Sequence, residues 1–209
     1  MKAESRKLSA KDKLLNASLE VIRTKGYSAT TVDDLCEAAG VTKGAFFHHF
    51  ESKEALGVAA AQYWSTVTSQ LFAGATYHQA TDPLDRFLGY IDFRRELVSG
   101  KIPEFTCLVG TMVQEAYESN PAIRQACQES IFGHASTLVK DIAEAKKLYA
   151  PNDAWEPESL ALHTQAVLQG AFILAKAKGE MQVALDSVDH LRRYAEFLFH
   201  RQPKEQHQA

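Results

Sequence analysis

The sequence contains no long apolar run. Among its 209 residues, no stretch approaches the roughly 18 apolar residues that a membrane-spanning helix needs. It also has few cysteines. Cys36, Cys107 and Cys127 form no CxxC motif, and their odd number argues against a disulfide framework. The N-terminal stretch MKAESRKLSAKDK has none of the apolar centre of a signal peptide. These absences argue against membrane and secreted proteins and predict a protein of the reducing cytoplasm.

The compact motifs of common enzymes and metal sites are missing as well. The sequence has no nucleophile elbow, P-loop, HExxH motif or dinucleotide-binding fingerprint. His48 and His49 are adjacent, but neighbouring residues on a helix point about 100° apart and cannot chelate one ion together. We therefore expect no enzymatic activity, no cofactor, no catalytic residues and no metal site.

Charge is distributed unevenly around a net value of −3. Residues 1–53 hold nine Lys and Arg against seven Asp and Glu, whereas residues 54–209 hold fourteen against nineteen. A mildly basic head on an acidic body fits a protein that contacts a polyanion at one end only. Random scatter explains so small an imbalance equally well.

Helix signals recur along the whole chain, while hairpin turns and sustained alternation are nearly absent. Ser9 with Asp12 and Thr31 with Asp34 have the spacing of capping boxes, and Asp82-Pro83 places a proline in a first helical turn. We therefore predict an all-α fold of about nine helices. Their expected positions are residues 10–25, 31–40, 42–49, 53–72, 83–99, 106–118, 121–147, 157–177 and 186–200.

Three regions are expected in this chain. Residues 1–53 form a helix-turn-helix domain, residues 54–200 form a larger helical domain, and the polar residues 201–209 form a disordered tail. Within the first region, residues 31–50 read as a helix, a tight turn at Gly40 and a second helix. Two such short amphipathic helices need the helix at residues 10–25 to complete a three-helix core. A helix-turn-helix places its second helix in the DNA major groove, although a helical hairpin without DNA function can share this spacing.

The run TTVDDLCEAAGVTKGAFFHHFESKEAL, at residues 30–56, resembles the signature of TetR-family transcriptional regulators. The resemblance extends in order and spacing from Ser9 through Leu56. It implies a three-helix DNA-binding head, a connecting helix, and a larger helical body that binds a ligand and dimerises. By position, it implies that the DNA-facing residues are Thr31, Thr42, Lys43, Gly44, Phe47, His48, His49 and Lys53.

One position departs from that pattern. The family commonly has Tyr where this chain has Phe47, and a Tyr hydroxyl can bond a phosphate whereas Phe cannot. We expect Phe47 to contact a thymine methyl group or a sugar instead. The N-terminal arm, with Arg6 and Lys7, either reaches DNA or forms a solvated tail.

The run HTQAVLQGAFILAKAKGE, at residues 163–180, resembles the penultimate helix of many members of the family. The resemblance implies that the last two helices of each subunit form a four-helix dimer seam, and packing within one subunit is the alternative. A symmetric dimer would place two heads on the half-sites of a pseudo-palindromic operator. The residues expected in the seam are Val167, Gly170, Ala171, Leu174, Leu191, Tyr194 and Leu198.

The middle helices are expected to surround a small, largely apolar effector. The candidate ligand-binding residues are Phe93, Cys107, Met112, Gln114, His134, His163 and Gln169. The predicted function is a sequence-specific repressor that such an effector releases from DNA. Two alternatives remain open: a sensor of oxidants or electrophiles acting through Cys107, and a dimeric interaction protein that has lost DNA binding.

Overall fold

The computed structural model describes residues 8–201, and these residues contain α-helices, one 3-10 turn and no strand. The N-terminal arm with Arg6 and Lys7, and all of the predicted tail except Arg201, lie outside the described residues. The helices are α1 (Ala10–Lys25), α2 (Val32–Ala39), α3 (Lys43–His49), α4 (Lys53–Ala73), α5 (Pro83–Glu96), α6 (Ile102–Phe105), α7 (Leu108–Ala116), α8 (Pro121–Tyr149), α9 (Pro157–Lys178) and α10 (Gln182–Leu198).

The all-α fold is confirmed, and most helices begin where their capping residues stand. Ser9 and Thr31 each accept a hydrogen bond from the third backbone N–H of the following helix, and the partner Asp bonds back to the cap. Asp82 accepts from the N–H groups of Leu84 and Asp85, and Pro83 follows it at the first position of α5. Each cap satisfies backbone donors that the helix itself leaves unpaired.

Four local features differ from the prediction. Short helix α6 and a 3-10 turn at Thr76–Gln79 were not expected. Helix α10 begins at Gln182, so Asp186 does not cap it but lies within it and accepts from Gln182 Nε2 at 2.8 Å. Arg201, which was assigned to the tail, forms an ion pair of 2.7 Å with Asp85.

The chain divides into two compact units. Among the described residues, the first contains those up to Thr68 together with Thr106–Ser130, and the second contains Ser69–Phe105 together with those from Ile131 onwards. Helices α4 and α8 each contribute residues to both units. The functional division after residue 53 stays a prediction.

Each unit has its own apolar core. In the first unit, Leu14, Leu35, Phe46 and Leu56 are fully buried and belong to one cluster, which holds α1, α2, α3 and the start of α4 together. Full burial of one such side chain contributes about 1.5–3 kcal/mol, so this cluster explains how three short helices hold a fixed arrangement. In the second unit, the core combines side chains of α4, α5, α8, α9 and α10.

Candidate nucleic-acid interface

Helices α2 and α3 are joined by a turn whose geometry requires a residue with left-handed backbone. Gly40 ends α2 at φ 61° and ψ 44°, and its N–H bonds to the carbonyls of Cys36 and Glu37. Glycine adopts this conformation without the penalty that a Cβ brings. Two residues later, Thr42 begins α3 by accepting from the N–H of Ala45 at 3.1 Å. The predicted helix-turn-helix geometry is therefore present.

Two neighbouring phenylalanines on α3 point in different directions. The ring of Phe46 is fully buried in the core, while Phe47 is 54% exposed. The two rings meet edge to face at 5.1 Å between centroids. Helix α3 thus has one face turned to the core, and the residues on its opposite face are all exposed: Thr42, Lys43, Gly44, Phe47, His48 and His49.

Gly44 is uncrowded on this exposed face. The nearest atom to a Cβ built at Gly44 is Thr42 Oγ1, at an ordinary contact distance of 3.8 Å. Packing among the described residues therefore does not require glycine at this position, where glycine is about 1 kcal/mol less favourable than alanine in a helix.

Lys43 is held by an acidic neighbour on α2. Its Nζ lies 2.9 Å from Asp33 Oδ1, and both side chains are well exposed. The Asp33 carboxylate raises the pKa of Lys43 above its ordinary value. The lysine is therefore fully charged and stands on the exposed face, but a phosphate would have to compete with Asp33 for it.

Lys53 does not present a free ammonium group, and its predicted role as a phosphate contact stays a prediction. Its Nζ donates to the carbonyl oxygens of Tyr27 at 3.1 Å, Ser28 at 3.3 Å and Thr30 at 3.0 Å. It also lies 4.6 Å from the centre of the Tyr27 ring. Lys53 thus fastens the start of α4 to the segment between α1 and α2.

A second residue that fixes this segment was missed by sequence reasoning. Glu115, on α7, accepts a 2.7 Å hydrogen bond from the N–H of Ser28. It also lies against Gly26, where a Cβ would come within 2.5 Å of Glu115 Oε1. The two partners are 87 positions apart in the chain, and no local pattern connects them.

His48 and His49 lie side by side at the end of α3, with ring centroids 4.9 Å apart. Thr31, the remaining DNA-facing candidate, is exposed at the start of α2, and its hydroxyl donates to Asp34. Within residues 8–201, no group of three His, Cys, Asp or Glu side chains is placed to hold a metal ion.

Comparison with known proteins shows which family has this helix-turn-helix and helical body. Residues 14–60 match the sequence model described as bacterial regulatory proteins of the tetR family, and residues 83–190 match the C-terminal domain of LmrA/YxaF-like transcriptional regulators. The chain belongs to the TetR family. It is a DNA-binding transcriptional regulator and not an enzyme, as the sequence predicted.

Individual TetR-family relatives match over most of their length. The chain is 29% identical to the transcriptional regulator AcuR of Cereibacter sphaeroides over 80% of this chain and 76% of that protein. It is 26% identical to the transcriptional repressor DhaR of a Mycobacterium species over 78% of this chain and 80% of the relative. A crystal structure of a regulatory protein TetR from Rhodobacter sphaeroides matches with a TM-score of 0.78 and 25% identity, over 90% and 98% of the two chains. The comparisons favour neither alternative function.

The predicted seam residues of this TetR-family chain fall into three groups by exposure. Leu174 and Tyr194 are exposed, and Val167, Gly170 and Leu198 are partly buried. Ala171 and Leu191 are each only 2% exposed. These two pack inside the second unit and offer no surface to another chain, so the prediction is corrected there. Other exposed apolar side chains of α9 and α10 were missed: Leu162, Ile173 and Phe197.

The predicted ligand residues do not form one group. Phe93 and His134 both pack against Phe72 in the second unit, with ring centroids 5.5 and 4.5 Å away. His163 is exposed instead, with its ring 5.1 Å from Tyr194. Gln169, on α9, is partly buried.

The remaining three ligand candidates lie on α7 or at its start, in the first unit. Cys107 caps α7, and its Sγ accepts from the N–H of Gly110 at 3.4 Å. Met112 is fully buried in the first unit, and exposed Gln114 donates to the carbonyl of Gly110 within its own helix. Of the described helices, none has the length and apolar character to cross a membrane.

Proposed function

We propose that this regulator is a homodimeric repressor that reads a pseudo-palindromic operator with the exposed face of α3 and leaves it when a small molecule binds the second unit. The observation that carries the DNA-reading part is the α3 face itself. Phe47 is a large apolar side chain left 54% exposed beside an open Gly44 and a charged Lys43. Such a surface has an apolar contact for a thymine methyl, room for close approach and a phosphate partner.

The DNA-facing set in this proposal is Thr31, Thr42, Lys43, Gly44, Phe47, His48 and His49. Lys53 supports the interface from behind by fixing the segment between α1 and α2, through its three carbonyl contacts. Because its target is chromosomal DNA, we place the protein in the bacterial cytoplasm.

The dimer part of the proposal uses the outer face of α9 and α10. On α9 the buried residues recur at Leu160, Thr164, Leu168 and Ala175, so the opposite side of the helix is turned outward. The exposed apolar residues on the outer face are Leu162, Ile173, Leu174, Tyr194 and Phe197. A surface of this kind marks an interaction site, and a second copy of the chain satisfies it symmetrically.

The switching part follows from a two-state equilibrium. In one state of the dimer the spacing of the two heads matches the operator half-sites, and in the other it does not. A ligand that binds the second state more tightly weakens operator binding by its differential affinity for the two states. A difference of about 1.4 kcal/mol gives tenfold weaker binding. Helix α4, which runs from Lys53 beside the DNA-reading segment to Ala73 in the second unit, is the proposed connection.

This function is tested by capturing genomic DNA fragments with the purified protein at one fixed salt concentration and sequencing them. Enrichment of one inverted repeat bound by two chains is the expected result. Phe47→Ala should lose this enrichment, because it removes the exposed ring while Phe46 stays in the core. Matched capture with Phe132→Ala, which removes an equally exposed ring from α8, should still recover the repeat. No enrichment by folded, dimeric wild-type protein would contradict the proposal.

A further inference from the structure

Arg94, near the end of α5, is partly buried with its guanidinium group close to two phenylalanine rings. Its Cζ lies 5.4 Å from the centre of the Phe72 ring and 5.6 Å from that of Phe172. Both rings are almost fully buried. An arginine over aromatic faces gains cation–π attraction, but these rings supply no oxygen or nitrogen acceptor for the five N–H donors of the guanidinium group.

Arg94 differs from other partly buried arginines of the second unit in lacking a carboxylate partner among the described residues. The partly buried Arg86, Arg192 and Arg201 each pair with at least one carboxylate, at Asp141, Asp92 and Asp85 respectively. Arg94 has no such partner within residues 8–201. Buried or partly buried charges are normally paired, so Arg94 is open to an anion that the described residues do not supply.

Polar groups stand beside Arg94 among the same rings. The Tyr90 hydroxyl lies 2.9 Å from His134 Nε2 and accepts from Gln165 Nε2 at 3.0 Å. Burial and the nearby charge of Arg94 lower the pKa of His134 to about 4. The imidazole is therefore neutral near pH 7, and Arg94 supplies the full positive charge in this group of side chains. His134 and Arg94 are both only partly buried, so neither is sealed from solvent.

We propose that the effector of this regulator is a small monocarboxylate with a planar apolar body, whose carboxylate pairs with Arg94 and whose body packs against the partly buried ring of Phe93, beside the buried Phe72. The planar guanidinium group matches a carboxylate in geometry as well as in charge. A single arginine balances one negative charge, and the aromatic rings favour an aromatic body. This proposal rests on the proposed function, because it names the ligand class of the same switch.

Isothermal titration calorimetry on the full-length protein, without DNA, tests the binding site. The probes are benzoate, phenylacetate and 3-phenylpropanoate, each compared with its uncharged amide. At least one acid should bind, and its amide should bind at least about tenfold more weakly, since a charge-assisted pair is lost. Failure of all three acids to bind at about 10 mM, a concentration suited to millimolar affinity, or equal binding of acid and amide, would overturn the proposal.

Two variants separate recognition of charge from packing. Arg94→Gln should abolish the preference for acid over amide, whereas a purely structural role would weaken acid and amide alike and leave their ratio unchanged. Arg95→Gln is the matched control. Arg95 is the next residue on α5 and pairs at the surface with Asp189, so its loss should leave the ratio within about twofold, which corresponds to less than 0.5 kcal/mol.

A second experiment measures how the acid changes binding to the operator recovered by DNA capture. At saturation the binding acid should weaken operator affinity about tenfold or more in wild-type protein and not in Arg94→Gln. Binding of the acid with unchanged operator affinity would refute its role as effector. If instead the protein without acid captures no DNA while calorimetry succeeds, the proposed repressor function fails and the carboxylate site stands.

Discussion

Lys43 on α3 and Asp33 on α2 form an exposed ion pair, with 2.9 Å between Nζ and Oδ1. Two helices of the head are thus linked by a charge pair on the face that we assign to DNA. A phosphate at Lys43 must displace Asp33, and the Asp33 carboxylate repels the DNA backbone itself.

Asp33→Asn should therefore tighten operator binding. The substitution frees Lys43 and removes a negative charge from the interface, so the operator dissociation constant should fall several-fold at low salt. Fluorescence anisotropy with the captured operator measures this effect. Lys43→Ala should weaken binding and make its dependence on salt shallower by about one unit of slope. If Asp33→Asn weakens binding instead, Asp33 does not compete with a phosphate for Lys43, and the assigned role of Lys43 as a phosphate contact is wrong.

Lys53→Met should reduce the stability of the fold more than it changes the salt dependence of DNA binding. Its ammonium serves three backbone carbonyls, and each loses a charge-assisted bond worth about 1.5–3 kcal/mol before water replaces part of it. Urea unfolding should show a clearly lower midpoint. Lys43→Met is the control, since an exposed ion pair contributes about 0–1 kcal/mol. An unchanged midpoint with a shallower salt slope would show that Lys53 contacts phosphate after all.

The comparison of sequence and structure at these lysines shows what local signals can predict. Ser9, Thr31, Thr42 and Asp82 cap helices through residues two or three positions away, and such signals are visible in the sequence. The partners of Lys53 lie 23 to 26 positions back along the chain. The three-helix head was predicted because its spacing is local and its family signature is long. The partners of Lys53, by contrast, are set by tertiary packing and are not visible in the local sequence.

In the second unit, too, tertiary packing decides what the sequence pattern leaves open. The period of α9 identifies an apolar helix, but a helix with apolar residues on most sides does not reveal which side meets its own core. Ala171 was therefore assigned to the seam although it is buried, while Phe197 was missed. Arg94 carries no signal in sequence, since its significance comes from Phe172 on α9 and from the absence of a carboxylate among the described residues.

Phe197→Asp should dissociate the proposed dimer. Phe197 is 76% exposed on α10, and placing a charge in an apolar interface costs several kcal/mol unless it is paired. Analytical ultracentrifugation over a range of protein concentrations should show a shift from dimer to monomer. Phe132→Asp, which changes an exposed ring on α8, should leave the dimer intact. A dimer that survives Phe197→Asp and dissociates with Phe132→Asp would move the interface to α8.

His134 should make the stability of the fold fall in mild acid. Its pKa is about 4 in the folded chain against 6.5 for an ordinary histidine, so between these values the unfolded chain binds more protons than the folded chain. Stability is therefore lost as pH falls from 6.5 towards 4, by up to roughly 3 kcal/mol from this residue. Urea unfolding at pH 7, 6 and 5 should give a steeper decline for wild type than for His134→Gln. Parallel declines would show that His134 is not buried in its neutral form.

Gly44→Ala tests the central claim most directly, because it separates DNA reading from folding. Among the described residues, the added methyl group meets only Thr42 Oγ1, at an ordinary contact distance of 3.8 Å, and alanine favours a helix by about 1 kcal/mol. Operator affinity and the free energy of unfolding should be measured on the same preparation. We predict that affinity falls about tenfold or more while stability stays equal or rises. Unchanged affinity in the stable variant would mean that this face of α3 does not lie against DNA, and would contradict the account.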